Sequence, residues 1–134
     1  MQSFDWNNTF MAAILPKWAQ AGTLDDILTR LADPEQREKI KANPQPMWLI
    51  VKAEKWSDIV VLNATHNKDL VGMDFAEIGR MRNCHPYDAV LDILLEEGSD
   101  LMSCMWASKS FQDSDIDLCL SQSECAVISD TVAT

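Results

Sequence analysis

The chain has 134 residues, 47% apolar and 24% charged, which suffices for one buried core and is short for two domains. Its 11 basic and 21 acidic residues give a formal net charge of -10, which repels phosphate backbones and anionic membrane surfaces, so nucleic-acid binding is not expected. No apolar run exceeds six residues against the roughly 20 needed to span a bilayer, and Asp5 stands where a signal peptide carries Lys or Arg, so a cytoplasmic protein without a membrane partner is expected.

Residues 1–22 carry Trp6, Phe10, Ile14, Leu15 and Trp18 in a loose helical rhythm broken by Pro16 and closed by Gly22, which predicts a short turn or frayed helix. Thr23 is placed to cap a helix in which Leu24, Ile27, Leu28 and Leu31 share one face. Asp33-Pro34-Glu35-Gln36 then supplies an N-cap and a proline at the first helical position. It opens a mostly polar surface helix that runs to Asn43 and stops at Pro44. The β-branched content of Met47 to Val51 and Ile59 to Leu62 predicts two short strands, followed by a loop from Asn63 to Gly72.

Asp74 and Glu77 have capping-box spacing, with Met73 and Ile78 placed as a hydrophobic staple, so a helix is expected from Phe75 to about Cys84. His85, an imperfect cap, precedes Pro86 and a helix that buries Tyr87, Val90, Leu91 and Leu94 before Gly98 ends it. Leu101 to Ala107 reads as a strand. A last helix, starting between Ser110 and Asp113, is expected to bury Ile116, Cys119 and Leu120, and Cys125 to Ser129 reads as a buried strand with Asp130 at its carboxyl end. The expected fold is α+β and mostly helical, in one domain over 1–134. A sheet ending on that strand needs neighbours not evident here, so the carboxyl end looks cut rather than finished.

Candidate chemistry is sparse. Cys84, Cys104, Cys119 and Cys125 form no CxxC pair and read as reduced, buried thiols, so neither a disulfide framework nor a cysteine nucleophile is expected. His66 and His85 are far apart in sequence, and adjacent Cys84 and His85 point about 100° apart on a helix, so no metal site is expected. Asp113, Asp115 and Asp117 lack the turn glycine and distal Glu of a calcium loop and suit a helix N-terminus. The five tryptophans read as core or interface residues. Asp130 is the one carboxylate placed for acid-base work.

In order, Leu15 to Gly22, Leu28 to Glu35, Trp56 to Val60, Leu70 to Ile78, Pro86 to Glu97, and Asp113 to Leu120 followed by Ser129-Asp130 form a collinear set spanning nearly the whole chain. The set resembles the N-acyl-D-amino-acid deacylases (D-aminoacylases) of the amidohydrolase superfamily. The resemblance implies a partial segment of a zinc-dependent (β/α)8 barrel, truncated at both ends. Its helical insertion would lie at roughly 16–122 and its last barrel strand at roughly 124–130. It also implies Asp130 as the catalytic carboxylate that handles the proton of the metal-bound water, and Met105, Ser108 and Phe111 as residues of the substrate pocket for an N-acyl-D-amino acid. The family's His-x-His is missing, Ile128 and Thr131 replace its usual glycines, and the chain alone is expected to bind no zinc and to be inactive. The alternative is a non-catalytic binding or homo-oligomerisation module, motivated by the Trp and Met content and by strands without barrel neighbours.

Overall fold

The computed structural model describes residues 6–45, 48–109 and 113–125. Nine regular elements follow in the order β1 (Trp6–Phe10), α1 (Leu24–Ala32), α2 (Pro34–Ala42), α3 (Leu49–Lys52), β2 (Ile59–Asn63), α4 (Phe75–Arg82), α5 (Pro86–Glu97), β3 (Met105–Lys109) and α6 (Asp113–Leu120), with short 3₁₀ turns between them. The described chain is therefore α+β and mostly helical, as its composition and periodicity predict.

Cap chemistry set the helices where it was expected. The Thr23 side chain accepts from the Asp26 amide at 3.3 Å while Asp26 Oδ2 accepts from the Thr23 amide at 2.8 Å, a reciprocal box at the start of α1. Asp33 accepts from the Glu35 amide at 2.8 Å ahead of Pro34, and Asp74 accepts from the Glu77 amide at 2.7 Å ahead of α4. His85 serves as the cap of α5 through Nδ1, which accepts from the Tyr87 amide at 3.2 Å. Asn83 ends α4 in the left-handed conformation at φ 53°, and the next helix starts three residues later.

Helix α5 is the central element. Ala89, Val90, Leu91, Ile93 and Leu94 are fully buried, and α1, α2 and α4 pack around it. Helix α2 does not simply lie on the surface: Ile40 is fully buried, and Arg37 and Lys41 reach across to Asp92 and Asp88 of α5. The three strands form one antiparallel sheet in the order β1-β3-β2, with Trp106 opposite both Thr9 and Val61. Trp106, Ser108, Ile59 and Val61 are buried, and Trp106 meets Trp48 and Phe75 edge to face at ring separations of 5.4 and 6.4 Å.

Several expectations are corrected. Within residues 1–22 the expected short turn is present as a 3₁₀ turn over Met11–Ile14, but Trp6–Phe10 before it is a strand, because β3 supplies the hydrogen-bonding partner that no local pattern reveals. Leu49–Lys52 is one helical turn rather than a strand. Its neighbour Trp48 is tied to the Ala13 carbonyl through Nε1 at 2.8 Å, and local bonds such as Ala53 N–H to Leu49 O at 2.9 Å replace a ladder. The strand expected from Leu101 begins at Met105, after a 3₁₀ stretch over Gly98–Ser103. Helix α6 forms at the expected place, but Ile116 is only half-buried and Cys119 and Leu120 are exposed. Cys125 is exposed and outside any strand, while the rest of the strand expected up to Ser129 lies outside the described residues.

Candidate functional site

Of the four residues that the resemblance places at a site, Met105 and Ser108 are described, and Phe111 and Asp130 lie outside the described residues. Strand geometry separates the two that are seen. Side chains alternate along β3, so Met105 and Ser108, three positions apart, lie on opposite faces of the sheet. Met105 is half-buried at the end where β3 pairs with Phe10 and Asn63. Ser108 faces the helices, 3% exposed, and lines a cleft of about 390 Å³ together with Trp48, Leu49, Ile50, Lys55 and Lys109.

That cleft is a product of the unexpected turn α3. Because Leu49–Lys52 coils instead of extending, it stands as a low apolar wall facing the end of β3. The Trp48 indole is held by Ala13 and by its contact with Trp106, so this wall is firmly placed. The lining combines apolar side chains with a buried hydroxyl and two lysines and holds no carboxylate, histidine or cysteine among the described residues. An apolar body with an anionic end matches such a lining in size and polarity.

The thiols and histidines do not converge. Burial, with Glu97 adding to it, pushes the Cys104 thiol up to about 12, and burial together with Asp92 and Asp88 raises Cys84, so both are poor nucleophiles. Cys119 and Cys125 are exposed rather than buried as expected. His66 pairs with Asp100 at 3.2 Å, a partner that the sequence did not suggest, while His85 is occupied at the N-terminus of α5. Among the described residues no three His, Cys, Asp or Glu side chains come together as a metal-binding group, so these residues do not fit a zinc centre. No helix among them is long and apolar enough to cross a membrane.

Sequence reasoning missed Glu97. Its side chain is fully buried, and its carboxylate accepts from the backbone amides of Thr65 (2.7 Å), His66 (3.0 Å) and Asn67 (2.9 Å) and from Asn67 Nδ2 (2.9 Å). Burial works against its charge, but these bonds outweigh it and hold the carboxyl below its ordinary value. Arg82 secures the same loop, donating to Asn67 Oδ1 at 3.1 Å and to Glu96 at 2.9 and 3.0 Å. The signal available in sequence was an acidic residue at the last turn of a helix, where the dipole disfavours it and a specific partner is needed.

Comparison of the chain with models of known protein families, with curated proteins and with solved structures finds no match.

Proposed function

We propose that this chain is a substrate-covering segment of a zinc-dependent N-acyl-D-amino-acid deacylase, an amidohydrolase of the (β/α)8 barrel type. The observation that carries the proposal is the cleft at Ser108. The stretch that the resemblance assigns to the substrate pocket borders an apolar cavity with Lys55 and Lys109 in its lining, which suits the acyl chain and carboxylate of an N-acyl amino acid. The collinear motifs support the same reading: Pro86 to Glu97 coincides with α5, Leu28 to Glu35 spans the junction of α1 and α2, and Leu70 to Ile78 leads into α4 through its Asp74 cap. In this reading the zinc ligands come from outside this sequence, Asp130 is the proton-transfer carboxylate, and the chain by itself is cytoplasmic and inactive.

A chimera tests it. Placed in a complete deacylase at the matching position, the segment is expected to sustain hydrolysis of an N-acetyl-D-amino acid, and Asp130→Ala is expected to lower kcat by about 100-fold or more. Full turnover in the Asp130→Ala chimera overturns the assignment. The purified chain alone is expected to carry no stoichiometric zinc by elemental analysis and to leave the same substrate intact.

A second reading, a homo-oligomerisation module, is favoured by α6, on which Leu118 is 63% and Leu120 56% exposed. Light scattering separates the two: concentration-dependent association reversed by Leu118→Glu supports the module, and a monodisperse monomer removes it.

A further inference from the structure

Helix α6 stands apart from the core. Ile116, Cys119 and Leu120 share one face of it, with Asp115 and Asp117 bordering that stripe on either side. Such a stripe is the face a helix ordinarily buries, yet Cys119 and Leu120 are exposed and Ile116 is only half-buried. No described helix or strand packs broadly against it. Eight residues, three of them Asp, do not hold a helix without tertiary support, so α6 calls for a partner.

The Ser108 cleft has the complementary character. Leu49, 72% exposed, stands on its lining with Trp48 and Ile50. The chain carries -10 overall, whereas the described lining of this cleft holds Lys55 and Lys109 and no carboxylate. Lys55 is exposed and forms no ion pair among the described residues. Helix α6 brings three Asp and no base. An acidic helix with an apolar stripe and an apolar cleft with a lysine at its rim match in charge and polarity.

Their positions in the chain select a second copy as the partner. Ser108 and Lys109 end β3 on the cleft, and α6 starts at Asp113, after three intervening residues. No described residue of α6 lines the cleft of its own chain. A two-fold axis beside this end of β3 sets each α6 over the cleft of the other copy, so both contacts form together in a closed pair.

We propose that two copies exchange α6, each stripe seated on Trp48, Leu49 and Ile50 of the other copy with Asp117 beside its Lys55. Leu118, on the opposite side of the helix, faces the axis and the other α6. The proposal rests on the oligomerisation reading, names its seat, and fills the Ser108 cleft with a helix rather than an acyl chain.

The test is sedimentation equilibrium of the full chain and of two variants at exposed positions. The wild-type chain is expected to dimerise reversibly at up to about 1 mM. Lys55→Glu puts a carboxylate opposite Asp117 in both contacts of the pair, and Asp117→Lys puts an ammonium opposite Lys55. Each variant alone is expected to dimerise about tenfold more weakly or worse. General repulsion predicts the reverse for Asp117→Lys, because exchanging an acid for a base takes the net charge from -10 to -8. Mixed in equal amounts, the two variants meet acid to base in both contacts, and dimerisation is expected to return to the wild-type level. A mixture as weak as its components, or unchanged affinity in either variant, overturns the seat while the oligomerisation reading stands. A wild-type chain that stays monomeric overturns both.

Discussion

Glu97 shows how one side chain organises a loop. Four N–H groups point at a single buried carboxylate, and a neutral amide in its place turns a second N–H group toward them. Glu97→Gln is therefore expected to cost about 2–3 kcal/mol of stability in urea unfolding at neutral pH. The pH dependence has a definite sign. The folded pKa is depressed, so the contribution is present above the ordinary carboxylate range and is lost as pH falls through the folded value. The stability gap between wild type and Glu97→Gln is expected to narrow on acidification below about pH 4, as unfolding curves recorded at several pH values would reveal.

Among the elements, α4 comes close to the start of α5 at Gly79. A Cβ on Gly79 would stand 3.0 Å from the Cys84 carbonyl oxygen and 3.2 Å from Pro86 N, both backbone atoms of the tight connection. Alanine ordinarily improves a helix interior by about 1 kcal/mol over glycine. Here the overlap forces backbone to move, at about 1–3 kcal/mol, and the connection has no flexible side chain to absorb the shift. Gly79→Ala is expected to lower stability by about 1 kcal/mol net, and a raised thermal midpoint would refute the contact. The caps follow ordinary rules: Thr23→Ala is expected to cost about 1 kcal/mol by loss of the hydroxyl that accepts from the Asp26 amide and donates to its carboxylate, read from the urea midpoint.

At the scale of the molecule, a net charge of -10 sets the response to salt. The exposed pairs, such as Lys39 with Glu35, add little because water screens them, whereas the excess negative charges repel one another across the surface. Raising salt from about 0.01 to 0.15 M shortens the screening length from about 30 to 8 Å, which relieves that repulsion. The thermal midpoint is expected to rise over this range, and a fall would mean that the part-buried bridges from Arg37 and Lys41 to α5 dominate.

The amino-acid sequence by itself determined the helices with chemical punctuation: Thr23, Asp33-Pro34, Asp74 and His85-Pro86 each start a helix through a bond or ring closed within three residues, and Gly98 follows the last residue of α5. Such contacts are local, so their partners are read from spacing alone. Only the tertiary structure decided the rest. Trp6–Phe10 is a strand because β3, about a hundred residues away, lies beside it, and Leu49–Lys52 coils because Trp48 is anchored to Ala13 and no ladder is offered. The candidate sites share that origin. Met105 and Ser108 are parted by the pleat of β3, and the Trp56 and Tyr87 rings meet only because the 3₁₀ turn Trp56–Asp58 and α5 fold against each other. Long-range pairing and burial depend on which distant residues arrive, and no periodicity within a single segment encodes that.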